Sequence, residues 1–231
     1  MKKIAIIPAR GGSKRLPRKN VLPFMGKPML TYPIKTALDS GLFDEVIVST
    51  EDLEIASVAE DAGARILKRP FELAQDRASV KQVCLNVLDE LKQEGVSIKY
   101  FCCLYATAVF VTEKDLQESF ELMANSSEND VVMGVSGFNL QPLQALIEDN
   151  GFLKPQWPEY EGVQSQFHPK LVASNGTLYW VKASTFIKTK SFYGGNVVGY
   201  EMPWIRAIDI DTPGDFETAK MLGPIIWVKK C

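Results

Sequence analysis

The sequence predicts a doubly wound α/β domain built around a mostly parallel sheet. Three observations support this prediction: short apolar runs alternate with amphipathic helical segments, their connections are short, and a glycine turn follows the first run. Runs that are apolar on both faces are typical of strands covered by helices on both sides. With 231 residues and 46% hydrophobic content, we expect a single domain over residues 1–231.

The apolar and helical patterns place the elements in order. The first strand is predicted at 4–7, where Pro8 ends it, and further strands at 45–50, 64–67, 100–105, 130–135, 176–180 and 207–211. Helices are predicted at 27–38, 51–62, 79–91, 112–123 and 183–187. A final helix is expected after Thr212 as N-cap, with Pro213 at its first position.

The alternation of predicted strands and helices is interrupted at residues 138–170. Four prolines divide the segment into short apolar pieces around Trp157, Tyr160 and Phe167. Because it has too little regular structure to bury these rings itself, we expect a protruding arm that packs on a second subunit.

The charge distribution is more informative than the net charge of −2, which argues against a general nucleic-acid-binding protein. Nine Lys or Arg residues precede the first acid, Asp39, and the rest of the chain holds 17 basic residues against 28 acids. A basic N-terminal region in an otherwise acidic chain suits a small polyanion that binds together with a metal ion.

Targeting and cysteine patterns set further expectations. Met1-Lys-Lys leads straight into the first strand, and no apolar run approaches the ~20 residues that span a membrane, so we expect a cytoplasmic protein. The cysteines Cys84, Cys102, Cys103 and Cys231 lack metal-site spacing and are expected to be buried free thiols. His168 is expected to be a satisfied or exposed histidine.

The basic loop that follows the first strand predicts a polyphosphate site. Gly11 and Gly12 allow a turn whose backbone N–H groups face an anion. Five cations lie in the same ten residues: Arg10, Lys14, Arg15, Arg18 and Lys19. The loop has neither the Walker A spacing nor the dinucleotide glycine fingerprint.

A carboxylate pair near the other end of the chain predicts a metal site. Asp209 and Asp211 are two residues apart on a predicted strand, so their side chains face the same side near its carboxyl end. Two hard oxygen ligands suit Mg²⁺ shared with phosphates. Alternatively, Asp211 only begins the following helix and Asp209 is merely exposed.

The loop reads Ile-Pro-Ala-Arg-Gly-Gly-Ser-Lys-Arg-Leu-Pro-Arg-Lys-Asn over residues 7–20 and resembles the sugar nucleotidyltransferase signature. Within that group it is most similar to the cytidylyltransferases that activate nine-carbon acidic sugars, and the resemblance extends over 4–222. It implies a Rossmann-like nucleotidyltransferase fold, transfer of CMP from CTP to a sugar hydroxyl, Mg²⁺ on Asp209 and Asp211, and a homodimer joined through the arm.

The resemblance also implies site residues. The segment from Arg69 to Asp76 is similar to the family's Arg-Pro-x-x-Leu-Ala-x-Asp motif around the cytosine base. The implied catalytic residues are Arg10, Lys14, Lys19, Asp209 and Asp211. The implied nucleotide contacts are Ala9, Arg10, Gly11, Gly12, Ser13, Lys14, Lys19, Asn20, Arg69 and Ser79.

The sugar-side residues give two different indications. Tyr105 and Phe110 stand where sialic acid enzymes have a glutamine and an arginine, and together with the segment around Gln144 they resemble the pseudaminic acid branch. The Asn175-Gly176 pair instead resembles the sialic and legionaminic acid enzymes. Pseudaminic acid is favoured, with sialic and legionaminic acids as alternatives. A non-catalytic nucleotide- or RNA-binding protein is the alternative of another class.

Overall fold

The structure of the protein is a computed structural model that describes residues 1–227. In chain order its strands are β1 (Lys2–Pro8), β2 (Pro23–Phe24), β3 (Lys27–Pro28), β4 (Glu45–Thr50), β5 (Arg65–Lys68), β6 (Ile98–Leu104), β7 (Val131–Ser136), β8 (Leu146–Asp149), β9 (Phe152–Pro155), β10 (Ala173–Lys182) and β11 (Val197–Glu201). Its α-helices are α1 (Thr31–Asp39), α2 (Leu53–Asp61), α3 (Val80–Gln93), α4 (Glu113–Ala124), α5 (Ala183–Thr189) and α6 (Pro213–Trp227).

A seven-stranded sheet in the order β11-β7-β10-β6-β1-β4-β5 forms the centre of the molecule. All neighbouring strands are parallel except β10, which runs antiparallel to both β6 and β7. The predicted mostly parallel sheet is therefore confirmed.

Helices cover both faces of this sheet, as a doubly wound fold requires. In β1, Ala5 and Ile7 pack with residues of α1, α2 and α4, whereas Ile4 and Ile6 pack with residues of α3 and α5 on the opposite face. This alternation is the two-residue period of a strand buried on both sides. A third apolar cluster, which includes Phe24, packs under α6.

Several predicted helix boundaries rest on observed caps. Thr112 and Asp115 form a capping box at the start of α4, and Thr212 and Asp215 exchange equivalent hydrogen bonds at the start of α6. The first predicted helix was placed too early, because Lys27–Pro28 pairs with Pro23–Phe24 as a small hairpin and α1 begins only at Thr31. Pro33 lies in the first turn of α1, where proline is tolerated.

The last strand was predicted in the wrong place. Residues 207–211 form no strand, and the edge strand of the sheet is β11, which the sequence reading missed. The segment is held by other contacts: Ile210 is fully buried in the third cluster, and Lys19 Nζ donates to the Ile210 carbonyl at 3.2 Å. Burial of Ile210 explains why the sequence is apolar at this position. The hydrogen bond from Lys19 satisfies the Ile210 carbonyl, which a neighbouring strand would satisfy in a sheet.

Residues 138–170, the predicted arm, lie outside the main sheet, and their contact with a second subunit stays a prediction. They contain the hairpin of β8 and β9, which pair only with each other, and both strands have exposed side chains. Phe167 is 74% exposed, whereas Trp157 and Tyr160 are half-buried. His168 also lies in this segment, where its ring contacts Tyr160 and its Nε2 lies 3.2 Å from the Val163 carbonyl.

Cys84, Cys102 and Cys103 are buried free thiols, as predicted, and Cys231 lies outside the described residues. Burial raises the pKa of the Cys102 and Cys103 thiols, so both stay protonated and unreactive. Among the helices of residues 1–227, none combines the length and apolar composition that crossing a membrane requires.

A buried ion pair fixes the segment that leads to Asp209 and Asp211. Arg206 donates two hydrogen bonds to the carboxylate of Asp115, of which Nη2 to Oδ1 is 2.9 Å, and Tyr200 on β11 donates a third at 3.0 Å. Burial alone would raise the pKa of Asp115, but the hydrogen bonds from Arg206 and Thr112 lower it below its ordinary value. One carboxylate thus joins α4, β11 and the start of the 207–211 segment.

Asp115→Asn is expected to lower the free energy of unfolding by about 3 kcal/mol near neutral pH, because a buried ion pair loses one charge. Since the folded pKa is the lower one, this stabilisation is complete above the unfolded pKa and is lost as the pH falls through the folded pKa. Urea unfolding should therefore give a constant difference from about pH 8 to 5 and a smaller one in more acidic solution. Asp89→Asn on the exposed face of α3 is the control, with a change under about 0.5 kcal/mol.

Candidate active site

A cleft of about 250 Å³ opens at the carboxyl ends of β1, β5 and β6. Its walls are formed by the basic loop after β1, the segment between β5 and α3, and residues 105–107 after β6. Ligands of open α/β sheets bind at this edge. The cleft brings together nine residues selected from the sequence: Arg10, Ser13, Lys14, Arg15, Lys19, Asn20, Arg69, Tyr105 and Asp211.

The basic loop is held in place from behind. The N–H group of Ala9 donates to the Ser49 carbonyl at 3.0 Å, and the N–H group of Gly11 donates to Glu51 Oε1 at 2.8 Å. Asn20 is only 3% exposed and donates from Nδ2 to the Arg10 carbonyl at 2.9 Å. Its Oδ1 is buried and has no hydrogen-bond partner within the described part of the chain, so this oxygen remains available as an acceptor.

Only one of the two loop glycines is required by close packing. A Cβ at Gly11 would lie 2.5 Å from Asp52 Oδ2, whereas a Cβ at Gly12 would meet nothing within 4 Å. Asp52 cannot easily move away, because its Oδ1 caps α2 by accepting from the N–H groups of Glu54 and Ile55 and its carboxylate also pairs with Arg18. Gly11 therefore has a steric reason to be glycine.

Acids from distant parts of the chain neutralise the loop cations. Asp76 pairs with Arg10, at 3.1 Å, and with Lys14, while Asp211 pairs with Lys19, at 2.8 Å, and with Arg15. The fifth cation, Arg18, pairs with Asp52 and Glu54 and does not line the cleft. The positive charge that the sequence predicts for this loop is thus partly neutralised by several carboxylates of the same chain.

Arg69 is the cleft cation without such a partner. It is 4% exposed, donates from Nη2 to the Ser49 carbonyl at 2.6 Å, and forms no ion pair with any residue of 1–227. Burial lowers the pKa of Arg69, but an arginine remains charged. A buried guanidinium at the cleft wall that has no ion-pair partner among residues 1–227 favours a ligand that offers acceptor oxygens.

Asp209 and Asp211 are electrostatically coupled although they do not lie on a strand. Partial desolvation raises the pKa of Asp209, and the neighbouring charge of Asp211 raises it further. Desolvation would also raise the pKa of Asp211, but Lys19 and Arg15 lower it below its ordinary value. Asp209 itself has no hydrogen bond or ion pair to the residues that the structure describes.

This pair fits a cation that is shared with a ligand. Within residues 1–227, no group of three or more histidine, cysteine or carboxylate side chains is arranged to hold a metal ion. Two carboxylates that repel each other, one of them without a partner, still supply hard oxygen ligands for Mg²⁺ if phosphate oxygens complete the coordination. The donor set therefore fits that metal but requires the ligand as well.

The other residues selected from the sequence have different surroundings. Asn175 donates to Ser136 Oγ at 3.2 Å and accepts from Thr177 Oγ1 at 2.6 Å, which fixes the turn in which Gly176 has a φ of +67°. A Cβ on Gly176 would lie 3.6 Å from the Asp209 carboxyl, so this turn adjoins the acidic pair. Ser79 caps α3 at the cleft wall, whereas Gln144 is exposed in the arm and does not line the cleft.

Several residues that line the cleft are not among the site residues predicted from the sequence. The most consequential is Asp76, which belongs to the segment quoted for its resemblance but was given no function there. Leu73, Ala78, Val80 and Val83 supply the apolar part of the same wall. The motif contained the signal for Asp76, but its ion pairs depend on the tertiary structure.

Comparison with known proteins identifies the group to which this structure belongs. A family model described as cytidylyltransferase matches residues 4–222. The chain belongs to the cytidylyltransferase family. It is 35% identical to a pseudaminic acid cytidylyltransferase of Campylobacter jejuni, over 96% of each chain. It is also 33% identical to an N-acylneuraminate cytidylyltransferase of Escherichia coli, over 94% of this chain and 51% of that one.

Other relatives of this cytidylyltransferase are longer or more remote. It spans 40% of a Helicobacter pylori protein named pseudaminic acid cytidylyltransferase and UDP-2,4-diacetamido-2,4,6-trideoxy-beta-L-altropyranose hydrolase, with 34% identity. A CMP:2-keto-3-deoxy-manno-octonic acid synthetase complexed with CTP has a similar fold, with a TM-score of 0.70 and 18% identity over 97% of this chain and 99% of that one. A 4-diphosphocytidyl-2C-methyl-D-erythritol synthase also reaches a TM-score of 0.70, at 15% identity over 96% and 97% of the two chains. At these identities, both structures support the fold.

Gly11→Ala and Gly12→Ala form a matched pair that tests the loop geometry. Gly11→Ala is expected to cost about 1–3 kcal/mol of strain, since either the loop or the helix cap must move. Binding of inorganic tripolyphosphate, measured by calorimetry, should weaken roughly tenfold because the displaced loop no longer presents its cations together. Gly12→Ala should bind as the wild type does. Equal effects of the two substitutions would contradict the structural difference between the glycines.

Proposed function

We propose that the protein transfers CMP from CTP to the anomeric hydroxyl of a nine-carbon acidic keto sugar, with pseudaminic acid favoured, and releases pyrophosphate. The observation that carries the proposal is the convergence of Arg10, Lys14, Lys19, Arg69 and Asp211 on one cleft at the carboxyl edge of the sheet. The 35% identity to a pseudaminic acid cytidylyltransferase along nearly the whole chain supports the substrates.

The cleft suits this reaction because it offers charge neutralisation and positioning. Arg10, Lys14 and Lys19 would hold the triphosphate and would stabilise the charge that grows on departing pyrophosphate. The N–H group of Gly12 would assist them, whereas that of Gly11 already donates to Glu51. The sugar hydroxyl attacks the α-phosphorus in line, so one P–O bond forms as the bond to pyrophosphate breaks. No covalent enzyme intermediate is needed.

Two buried groups would orient the nucleotide. The Arg69 guanidinium is fixed on the Ser49 carbonyl and can donate to oxygens of the base or the phosphates. The free Oδ1 of Asn20 accepts a hydrogen bond from a ribose or sugar hydroxyl. Ser79 lies between the cleft residues Ala78 and Val80, and its contact with the nucleotide stays a prediction.

We infer that the metal of this reaction is Mg²⁺ held by Asp209 and Asp211. When bound, the metal supplies positive charge to the α-phosphate and lowers the pKa of the attacking hydroxyl. Asp211 already interacts with Lys19 and Arg15, so the same carboxylate connects the metal position with the basic loop.

The preference for pseudaminic acid rests on the wall formed after β6. Tyr105 is partly buried, and its ring lies 5.7 Å from that of Tyr179, which makes this wall aromatic. Burial raises the pKa of Tyr105, so its hydroxyl stays neutral. Phe110 is buried in the third apolar cluster and does not line the cleft, so the aromatic character of this wall comes from Tyr105. The methyl and acylamino groups of pseudaminic acid lose less binding free energy at such a wall than the hydroxyls of sialic acid, which would lack hydrogen-bond partners there.

Asn175 supports no single sugar, because its amide is engaged with Ser136 and Thr177. The alternatives of sialic acid or legionaminic acid as substrate therefore rest on the sequence resemblance. The homodimer through residues 138–170, the cytoplasmic location and the absence of nucleic-acid and membrane partners also stay predictions. The exposed Phe167 and the exposed strands of the arm hairpin favour the homodimer.

Pyrophosphate release tests the proposed function. With Mg²⁺ and pseudaminic acid, CTP should give turnover, and UTP, ATP and GTP should each give at most a few per cent of it. Under saturating CTP, kcat/KM should be roughly ten- to hundredfold higher for pseudaminic than for sialic acid, because an unpaired hydroxyl costs about 1–3 kcal/mol. A preference for sialic acid would overturn the sugar assignment, and binding of CTP without turnover on any acidic sugar would favour the non-catalytic alternative.

Asp211→Asn tests the metal assignment. Turnover should fall by roughly 100-fold or more at all Mg²⁺ concentrations, since one of two metal ligands loses its charge. Binding of CTP in EDTA should not weaken, because the substitution removes an internal anion that pairs with Lys19 and Arg15. Asp89→Asn is the control for a carboxylate far from the cleft. Wild-type turnover by a folded Asp211→Asn protein would refute the assignment.

A further inference from the structure

Asp76 joins the two walls of the cleft. Its carboxylate belongs to the segment between β5 and α3, while its partners Arg10 and Lys14 belong to the basic loop on the other side. The Arg10 Nη1 to Asp76 Oδ1 distance is 3.1 Å, and all three residues line the same cleft. The ion pairs therefore cross the space that a ligand must enter.

The two cations that Asp76 engages are the ones assigned to the triphosphate. A carboxylate and a phosphate are both oxygen anions, and they compete for the same N–H donors of a guanidinium or an ammonium group. The Asp76 side chain is 48% exposed, so it can return to solvent without leaving a buried charge unpaired. Nothing else among residues 1–227 anchors this carboxylate, since its hydrogen bonds and ion pairs go to these two cations.

Asp76 differs in this respect from the other acids around the loop. Asp52 also caps α2, and Asp211 lies beside Asp209, where a metal would draw on both carboxylates. Glu51 is tied to the N–H group of Gly11. Only Asp76, among the acids described around the loop, has its contacts limited to the cations of the cleft.

We propose that Asp76 is a displaceable internal counter-ion: it occupies Arg10 and Lys14 in the free protein, gives way to the nucleotide phosphates, and returns as pyrophosphate leaves. This rests on the proposed function for the identity of the ligand. The exchange weakens binding of the triphosphate, and it gives pyrophosphate a competitor at the moment of release. Asp76 thus sets the affinity of the site without acting on the reacting atoms.

The test is the sign of the change in anion affinity in Asp76→Asn. The Kd values of CTP and of inorganic tripolyphosphate are measured by calorimetry in EDTA, and the inhibition constant of pyrophosphate is measured in the forward reaction. Exposed ion pairs contribute little individually, so losing two of them predicts roughly 2- to 20-fold tighter binding of all three anions. Asp76→Ser should behave in the same way, which covers the case that one variant folds poorly.

A matched control separates direct competition from a general change in charge. Glu54→Gln also removes one exposed carboxylate near the loop, but its partner Arg18 does not line the cleft. Under the proposal Glu54→Gln leaves the three constants within about twofold, whereas a general change in charge would tighten all three by a similar factor in both variants.

The possible results are distinct. Weaker or unchanged anion binding in Asp76→Asn overturns the proposal, because Asp76 would then position the cations or play no part. An equal gain in anion affinity in Glu54→Gln also overturns the proposal, because it would show that the loss of any nearby negative charge has the same effect. If the wild type binds neither CTP nor tripolyphosphate, the proposed function fails along with it. If the wild type binds both and turns over CTP, a failure in Asp76→Asn concerns this inference alone.

Discussion

The parallel alignment of β1, β4, β5 and β6 is the constraint on which the rest of the structure depends. Because their carboxyl ends share one edge of the sheet, the turns that follow them are neighbours in space even when they are far apart in sequence. The basic loop follows β1, Arg69 follows β5 and Tyr105 follows β6. The cleft is therefore a result of strand direction, and the chemistry is supplied by the residues that happen to begin each turn.

Much of this architecture was predictable because local sequence patterns determine it. The buried strands β1, β4 and β6 are apolar on both faces, and the caps at Thr112 and Thr212 have the spacing of capping boxes. The exposed edge strand β11 has no such signal, because Gly199 interrupts it and its burial only alternates. Ile210 caused the opposite error, a strand predicted where none forms. An apolar residue between two aspartates resembles a strand pattern, but Ile210 is buried in the third apolar cluster.

The site was predictable to the extent that its residues lie in contiguous motifs. The loop cations, Asn20 and Arg69 could be selected from the sequence, and all of them except Arg18 reach the cleft. The ion pairs that neutralise the loop could not be predicted in this way: Asp76 was given no role, and Asp211 was selected as a metal ligand rather than as a partner of Lys19. Pairing between distant charges depends on the tertiary structure, and so does the requirement for glycine at position 11.

The reversed strand β10 has a consequence for how the arm is attached. β7 runs in the same direction as β6, and β10 runs against both, so the chain leaves β7 and enters β10 at the same edge of the sheet. The arm of residues 138–170 is therefore a closed excursion whose two ends meet at the edge that carries the cleft. Such an excursion can change in length or shape without altering strand order or register. In evolutionary terms, the scaffold and the arm are separable modules, and one can diversify while the other is preserved.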